Sequence, residues 1–162
     1  MAEEIQVKNG SGASVTAEAE NLVTNAAASA DTSDVTLTVP TGKVWTLKQI
    51  AVQLITNATV GARLMRIDIT DGTNVVWRKA FGVAAGQTAS LTRQYLAASD
   101  YLADDTAFDA NGNARIAMQQ WTLPAGWKIR IYDSAAIDNV ADADNIVIFC
   151  VLVDQRTEGT KV

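Results

Sequence analysis

Val44-Trp45-Thr46-Leu47-Lys48-Gln49-Ile50-Ala51-Val52-Gln53-Leu54-Ile55-Thr56 is the stretch that decides the fold. Its large apolar residues stand at 45 and 47 and then at 50, 52 and 54, the period of two that belongs to a strand. The parity flips between Lys48 and Gln49. One face stays apolar across that point only if an extra residue is inserted, which is what a β-bulge does. A strand this long, bent at a bulge, is suited to serve two sheets at the corner of a sandwich.

The flanking sequence has the same grammar. Upstream, Val35-Thr36-Leu37-Thr38-Val39 alternates and stops at Pro40-Thr41-Gly42, where Pro and Gly favour a turn. Downstream, Arg63 to Thr70 places Met65, Ile67 and Ile69 on one face against Arg66 and Asp68, and Asp71-Gly72-Thr73-Asn74 closes a hairpin into Val75 to Lys79. Ala89 to Tyr95, Arg115 to Leu123, Trp127 to Asp133 and Asn145 to Asp154 complete the pattern. About eight strands with both prolines at turns predict an all-β, antiparallel β-sandwich. Leu37 to Trp45 and Trp121 to Ile129 share the form strand, Pro-x-Gly, strand. Each is expected to be a tight hairpin, and the repetition suits a jelly-roll-like arrangement.

The 162 residues are 48% apolar and 19% charged, with one Cys and no His. The lack of His excludes Ser-His-Asp and Cys-His catalysis and His-ligated zinc, and one Cys cannot form an internal disulfide. The formal charge of −5 argues against binding to phosphate backbones, so no nucleic acid partner is expected. Ile146 to Val153 is far shorter than a membrane helix, and no secretory signal is expected after Glu3 and Glu4. Residues 1–34 hold six carboxylates against Lys8, while the remainder balances twelve cations against twelve carboxylates. The expected organisation is an extended N-terminal arm over 1–34, a sandwich domain over 35–156 and a C-terminal tail over 157–162.

The arm is rich in Ala, Ser, Thr and Asn and cannot bury a core alone. Ile5 to Lys8 is expected as an added strand and Ala17 to Ala30 as a short helix, ordered on a neighbouring subunit. Its apolar residues Ile5, Val7, Leu22 and Val23 are candidate partner contacts. Trp45 and Trp77 fit a core, whereas Trp121 and Trp127, flanking Pro124, fit an edge where an amphipathic ring meets a partner. With Tyr101 and Tyr132 they are also the candidates for stacking on a glycan. Asp100, Asp104, Asp105 and Asp109, and Asp138, Asp142 and Asp144, form two oxygen-rich loops. The first lacks the spacing of an EF-hand, so solvated loops are expected, with no catalytic residue, cofactor or metal. Cys150 sits in an apolar strand and fits a core position.

Val39-Pro40-Thr41-Gly42-Lys43-Val44-Trp45-Thr46-Leu47, then Ala58 to Arg63 leading into Asp68-Ile69-Thr70-Asp71-Gly72, resembles the small β-sandwich proteins of tailed-phage virions over roughly Val35 to Gln155. The resemblance implies a non-enzymatic capsid cement or decoration protein that stabilises a phage capsid lattice through inter-subunit arm contacts. It implies the major capsid protein or another virion protein as partner, a homo-oligomer with a trimer favoured, and a location in the virion after synthesis in the host cytoplasm. A fibre or tail-associated module, or a glycan- or receptor-binding sandwich, is the alternative, since these share the same local grammar.

Overall fold

The computed structural model describes residues 6–8, 14–16, 21–23, 34–55, 62–82, 85–86, 92–133 and 145–157. The strands are β1 (Gln6–Lys8), β2 (Ser14–Thr16), β3 (Asn21–Val23), β4 (Asp34–Thr38), β5 (Lys43–Ile55), β6 (Ala62–Arg63), β7 (Met65–Thr70), β8 (Val75–Ala80), β9 (Ala85–Gly86), β10 (Thr92–Ala98), β11 (Asn113–Ala117), β12 (Trp121–Leu123), β13 (Lys128–Asp133) and β14 (Asn145–Thr157). Among the described residues there is no helix, and none long and apolar enough to cross a membrane. A six-stranded sheet runs β11-β10-β5-β14-β3 with β12 also on β5, and a four-stranded sheet runs β4-β13-β7-β8. The two form the expected β-sandwich, antiparallel except for the parallel pair β10–β11.

β5 is its spine. Trp45, Leu47, Ile50, Val52 and Leu54 are all buried, and Lys48 and Gln49 between them are both half-buried. On β14 the consecutive residues Leu152 and Val153 face Gln49 and Leu47, so Lys48 is the extra residue that the parity flip requires. β5 does not pass into the second sheet, as the bend suggested. At Lys48 it changes partner instead: β10 pairs with Gln49–Ile55, Ser99 donates its amide to the Lys48 carbonyl, and β12 pairs with Trp45–Leu47. The expected strand Arg115 to Leu123 is accordingly divided. Met118 donates to the Ala98 carbonyl, Gln119 and Gln120 face solvent, and the chain shifts from β10 to β5.

The two Pro-x-Gly turns also depart from expectation. Neither closes a hairpin: β4 and β5 lie in different sheets, as do β12 and β13, so each turn carries the chain across the sandwich. Both have the same construction. Lys43 and Trp127 donate amides to the Pro40 and Pro124 carbonyls, and Gly42 and Gly126 take φ values of 72° and 84°, where a side chain would be strained. They dock on each other through Val39 to Trp127 and Gly126 to Val39 hydrogen bonds of 2.9 and 3.0 Å. The crossed strands then pair across the exchange, β4 with β13 and β12 with β5.

The hairpin of β7 and β8 forms as expected, with Asp71 Oδ1 accepting from the Thr73 and Asn74 amides. Arg63 leaves it for β6, which pairs with β9, and the strand expected at Ala89 to Tyr95 lies three residues later. Within the arm, Asn21–Val23 is a strand and not part of a helix; it pairs with Val151–Val153. Leu22 and Val23 suit an extended edge better than a helix interior, and β14 offers an unfilled ladder there.

Deleting Lys48 puts one half of β5 on the wrong face and is expected to abolish cooperative unfolding. Lys48→Ala preserves the residue count and is expected to cost about 1 kcal/mol or less. Thermal unfolding followed by circular dichroism separates the two.

Candidate functional site

On β7 and β13, burial of Met65, Ile67, Ile69, Ile129 and Ile131 turns the alternate residues outward. The register sets Arg130, Asp68 and Arg78 side by side across β13, β7 and β8, with Thr36 of β4 beyond Arg130. Tyr132 lies beside Arg66 in the next row, and Lys128 beside Thr70 in the row on the other side. These three strands therefore carry Arg66, Arg78, Lys128 and Arg130 on one face against a single carboxylate, Asp68; β4 adds Asp34 at its border. In a chain of net charge −5 this face is a local excess of positive charge.

Two of the cations, Arg78 and Arg130, are held in place. Arg78 donates through Nε and Nη2 to Asp68 Oδ1 and Oδ2 at 2.8 and 2.7 Å, and Tyr132 donates to Oδ1 at 3.4 Å. Asp68 is fully buried while the Arg78 side chain is 47% exposed. The Asp68 hydrogen bonds and charge hold the Arg78 proton well above its ordinary range. The Arg130 guanidinium lies 4.2 Å from the centroid of the Tyr132 ring. Arg78 and Arg130 can therefore meet carboxylates or another anionic surface with their orientation already set.

The opposite sheet manages its edge with acid. Among the described residues β11 pairs with β10 on one side only, and on the other side Asp104, Asp105 and Asp109 accept the amides of Ala117, Arg115 and Asn113 at 2.8, 2.9 and 2.9 Å. The chain of this loop adds Asp105 and Asp109 amide bonds to the Arg115 and Asn113 carbonyls. This comb of carboxylates closes the strand edge. The solvated acidic loop expected here is thus a structural brace, and among the described residues no three metal-ligating side chains converge. Asp138, Asp142 and Asp144 lie outside the described residues.

The expected partner contacts fall in different places. Ile5 lies outside the described residues; Val7 is in β1 opposite Val15 of β2, and Leu22 and Val23 are in β3 opposite Leu152 and Val151. Trp121 stands opposite Leu47, faces inward and meets Trp77 of the other sheet at 6.2 Å between ring centroids. Trp127 is half-buried against the core. Both close the seam between the sheets, and Trp77, expected in the core, is a half-buried part of the same seam. Tyr132 is on the outward face under Arg130, whereas Trp121 and Trp127 pack against the core. The Cys150 side chain lies outside the described residues.

The seam continues past Lys79, whose Nζ donates to Asp104 Oδ1 and the Ala117 carbonyl, both at 2.8 Å, to a cluster of Phe81, Tyr95 and Phe108. Arg63 and Asp133, 1% and 7% exposed, pair here at 3.6 Å, and Asp133 Oδ1 accepts the Leu64 amide. Burial pushes the Tyr95 hydroxyl far above its ordinary range; Asp133 adds to this and Arg93 opposes it. The hydroxyl stays protonated and is no nucleophile at neutral pH. The basic outer face was missed because its members alternate through two distant segments; the signal was the charge parity at 66, 68, 128 and 130, which becomes one face only when β7 is known to pair with β13.

Two outcomes follow from these contacts. Arg78→Met strands the buried Asp68 carboxylate, whereas Asp68→Asn leaves Arg78 free to turn into water, so the first is expected to lower Tm more than the second. Asp104 and Asp109 are held below the ordinary carboxylate value of 3.8. At Asp104 burial opposes this and is outweighed by the Lys79 and Ala117 hydrogen bonds and the Lys79 charge together; at Asp109 the Asn113 and Asn111 hydrogen bonds outweigh desolvation. Carboxyls depressed on folding give stability that is complete above 3.8 and lost as pH falls through their folded values. Urea midpoints should fall steeply below about pH 4, and less steeply in Asp104→Asn/Asp109→Asn, which starts lower at neutral pH.

No family model, no curated protein and no solved structure gives a significant match to this chain, so its chemistry rests on these residues alone.

Proposed function

We propose that this chain is a non-enzymatic structural protein of a virion, a cement or decoration module that binds and stabilises a phage capsid lattice and uses its N-terminal arm for contacts between subunits. The observation that carries this reading is the segregation of charge: a preorganised basic sheet face on the body, and an acidic arm of six carboxylates against one lysine. A rigid sandwich with one charged face gains affinity from area and from many equivalent sites, without a deep pocket. The β3 strand supports the arm's role. It fastens Asn21–Val23 to β14 by main-chain pairing, so the residues before it are tethered to the body at a defined point. The proposed partners are the major capsid protein or another virion protein and further copies of this chain.

Quantitative mass spectrometry of purified particles tests the reading. Copies equal to the shell protein or a simple fraction of it support it, a handful of copies indicate a fibre or tail part, and absence refutes it. Deleting residues 1–20 retains β3, and is expected to leave the melting curve near that of the full chain while weakening particle binding about tenfold or more. Unchanged binding of the truncated chain to particles lacking the protein would refute the role of the arm.

A further inference from the structure

We propose that the outward face of the four-stranded sheet is the docking surface for the acidic residues 1–20 of a neighbouring copy of this chain. The inference rests on the arm-mediated assembly proposed above and names the surface that receives the arm. Charge complementarity identifies the occupant. Residues 1–20 carry Glu3, Glu4, Glu18 and Glu20 against Lys8, a net charge of −3, whereas the four-stranded sheet sets Arg66, Arg78, Lys128 and Arg130 in its outward rows against Asp68, with Asp34 of β4 at the border. The one carboxylate that β7, β8 and β13 turn to the outer face, Asp68, is already occupied by the two Arg78 nitrogens and the Tyr132 hydroxyl, and it lies buried beneath them. What faces outward is therefore cationic, and its natural complement is a run of carboxylates.

The geometry favours a segment from another copy. β3 holds Asn21–Val23 on β14, in the six-stranded sheet, while the basic face is the outward side of the other sheet. β1 and β2 pair with each other at Gln6–Lys8 and Ser14–Thr16, leaving a four-residue connection, with Glu18 and Glu20, to β3. Four extended residues span about 13 Å, a short tether for carrying a paired segment around its own sandwich to the far face. In a lattice of copies, each arm is offered a neighbour's face instead. Electrostatic docking of this kind is weak in a single contact, sensitive to salt and strengthened by repetition.

The test uses the full chain in solution without particles. Sedimentation velocity at low salt, repeated near 0.5 M salt where screening is nearly complete over a few ångströms, is expected to show concentration-dependent self-association that weakens about tenfold or more. Two reversed chains decide the contact: Arg66→Glu/Lys128→Glu on the face, and Glu3→Lys/Glu4→Lys/Glu18→Lys/Glu20→Lys on the arm. Arg78 is left intact because it neutralises Asp68. Each reversed chain alone is expected to stay monomeric, and an equimolar mixture is expected to associate again, since each arm then meets a face of opposite sign. If the reversed face prevents folding, Arg66→Gln/Lys128→Gln should still weaken association of the folded chain. A wild-type chain that is monomeric at every concentration, reversed chains that associate like wild type, or a mixture that stays apart would overturn the inference. Because no particle is involved, loss of self-association with particle binding intact rejects this docking surface alone. Self-association without particle binding rejects the virion role alone.

Discussion

The thirteen residues of β5 have to keep five large apolar side chains on one face although their spacing contains a parity error, and the rest of the sandwich follows from the solution at Lys48. An extra residue there costs one irregular step in the ladder. It returns Ile50, Val52 and Leu54 to the side already occupied by Trp45 and Leu47. β14 meets the same strand along its full length and absorbs a second irregularity between Ile148 and Cys150, so both long strands are bent while their pairing survives. On the opposite side of β5 the irregularity divides the neighbours. β10 ends and β12 begins, and the chain between them, from Ser99 to Gln120, contains the parallel strand β11 and the acidic brace.

Edges are treated differently in the two sheets, and carboxylates explain both treatments. Along β11, three aspartates accept amides that a neighbouring strand would otherwise satisfy, and this closes the edge to further pairing. In the four-stranded sheet, one aspartate is sunk between strands and organises cations around itself. The first arrangement consumes negative charge on backbone groups. The second conceals it, so an almost evenly charged body presents positive charge to the outside on one face. Net charge alone would have predicted a uniformly acidic protein, and it misses this local arrangement.

Much of the fold was legible because strand periodicity is strong where one face is buried. Val35 to Val39, the long strand with its bulge and the Asp71 hairpin all announce themselves through alternation and turn chemistry. Sheet membership was not legible. Pro40-Thr41-Gly42 and Pro124-Ala125-Gly126 carry the signature of a turn, but the same local hydrogen bond from Lys43 or Trp127 serves a hairpin and a crossing equally well. Only the pairing of β4 with β13 and of β5 with β12 distinguishes them, and that is a long-range choice. Leu22 and Val23 were misjudged for a related reason. Three residues are too few for periodicity to speak, and the free edge of β14 decided their conformation. The basic face suffered most, since its rows are assembled from residues more than 60 positions apart in the chain, as in Asp68 beside Arg130.

The two crossing turns give that face its rigidity. Because β4 and β13 come from opposite crossings and pair with each other, the four-stranded sheet is anchored at the same place where Val39, Gly126 and Trp127 exchange hydrogen bonds. Lys128 and Arg130 begin one and three residues after that anchor, and Thr36 precedes it on the partner strand. The outward side chains thus project from a strand that resists a shift of register: a slip of one residue in β13 would turn Ile129 and Ile131 out to water and Arg130 into the core. Burial of the inner face fixes the positions of the outer one. The strand positions of its cations are therefore a consequence of folding, and at Arg78 and Arg130, already held by Asp68 and Tyr132, a partner has less ordering left to offset.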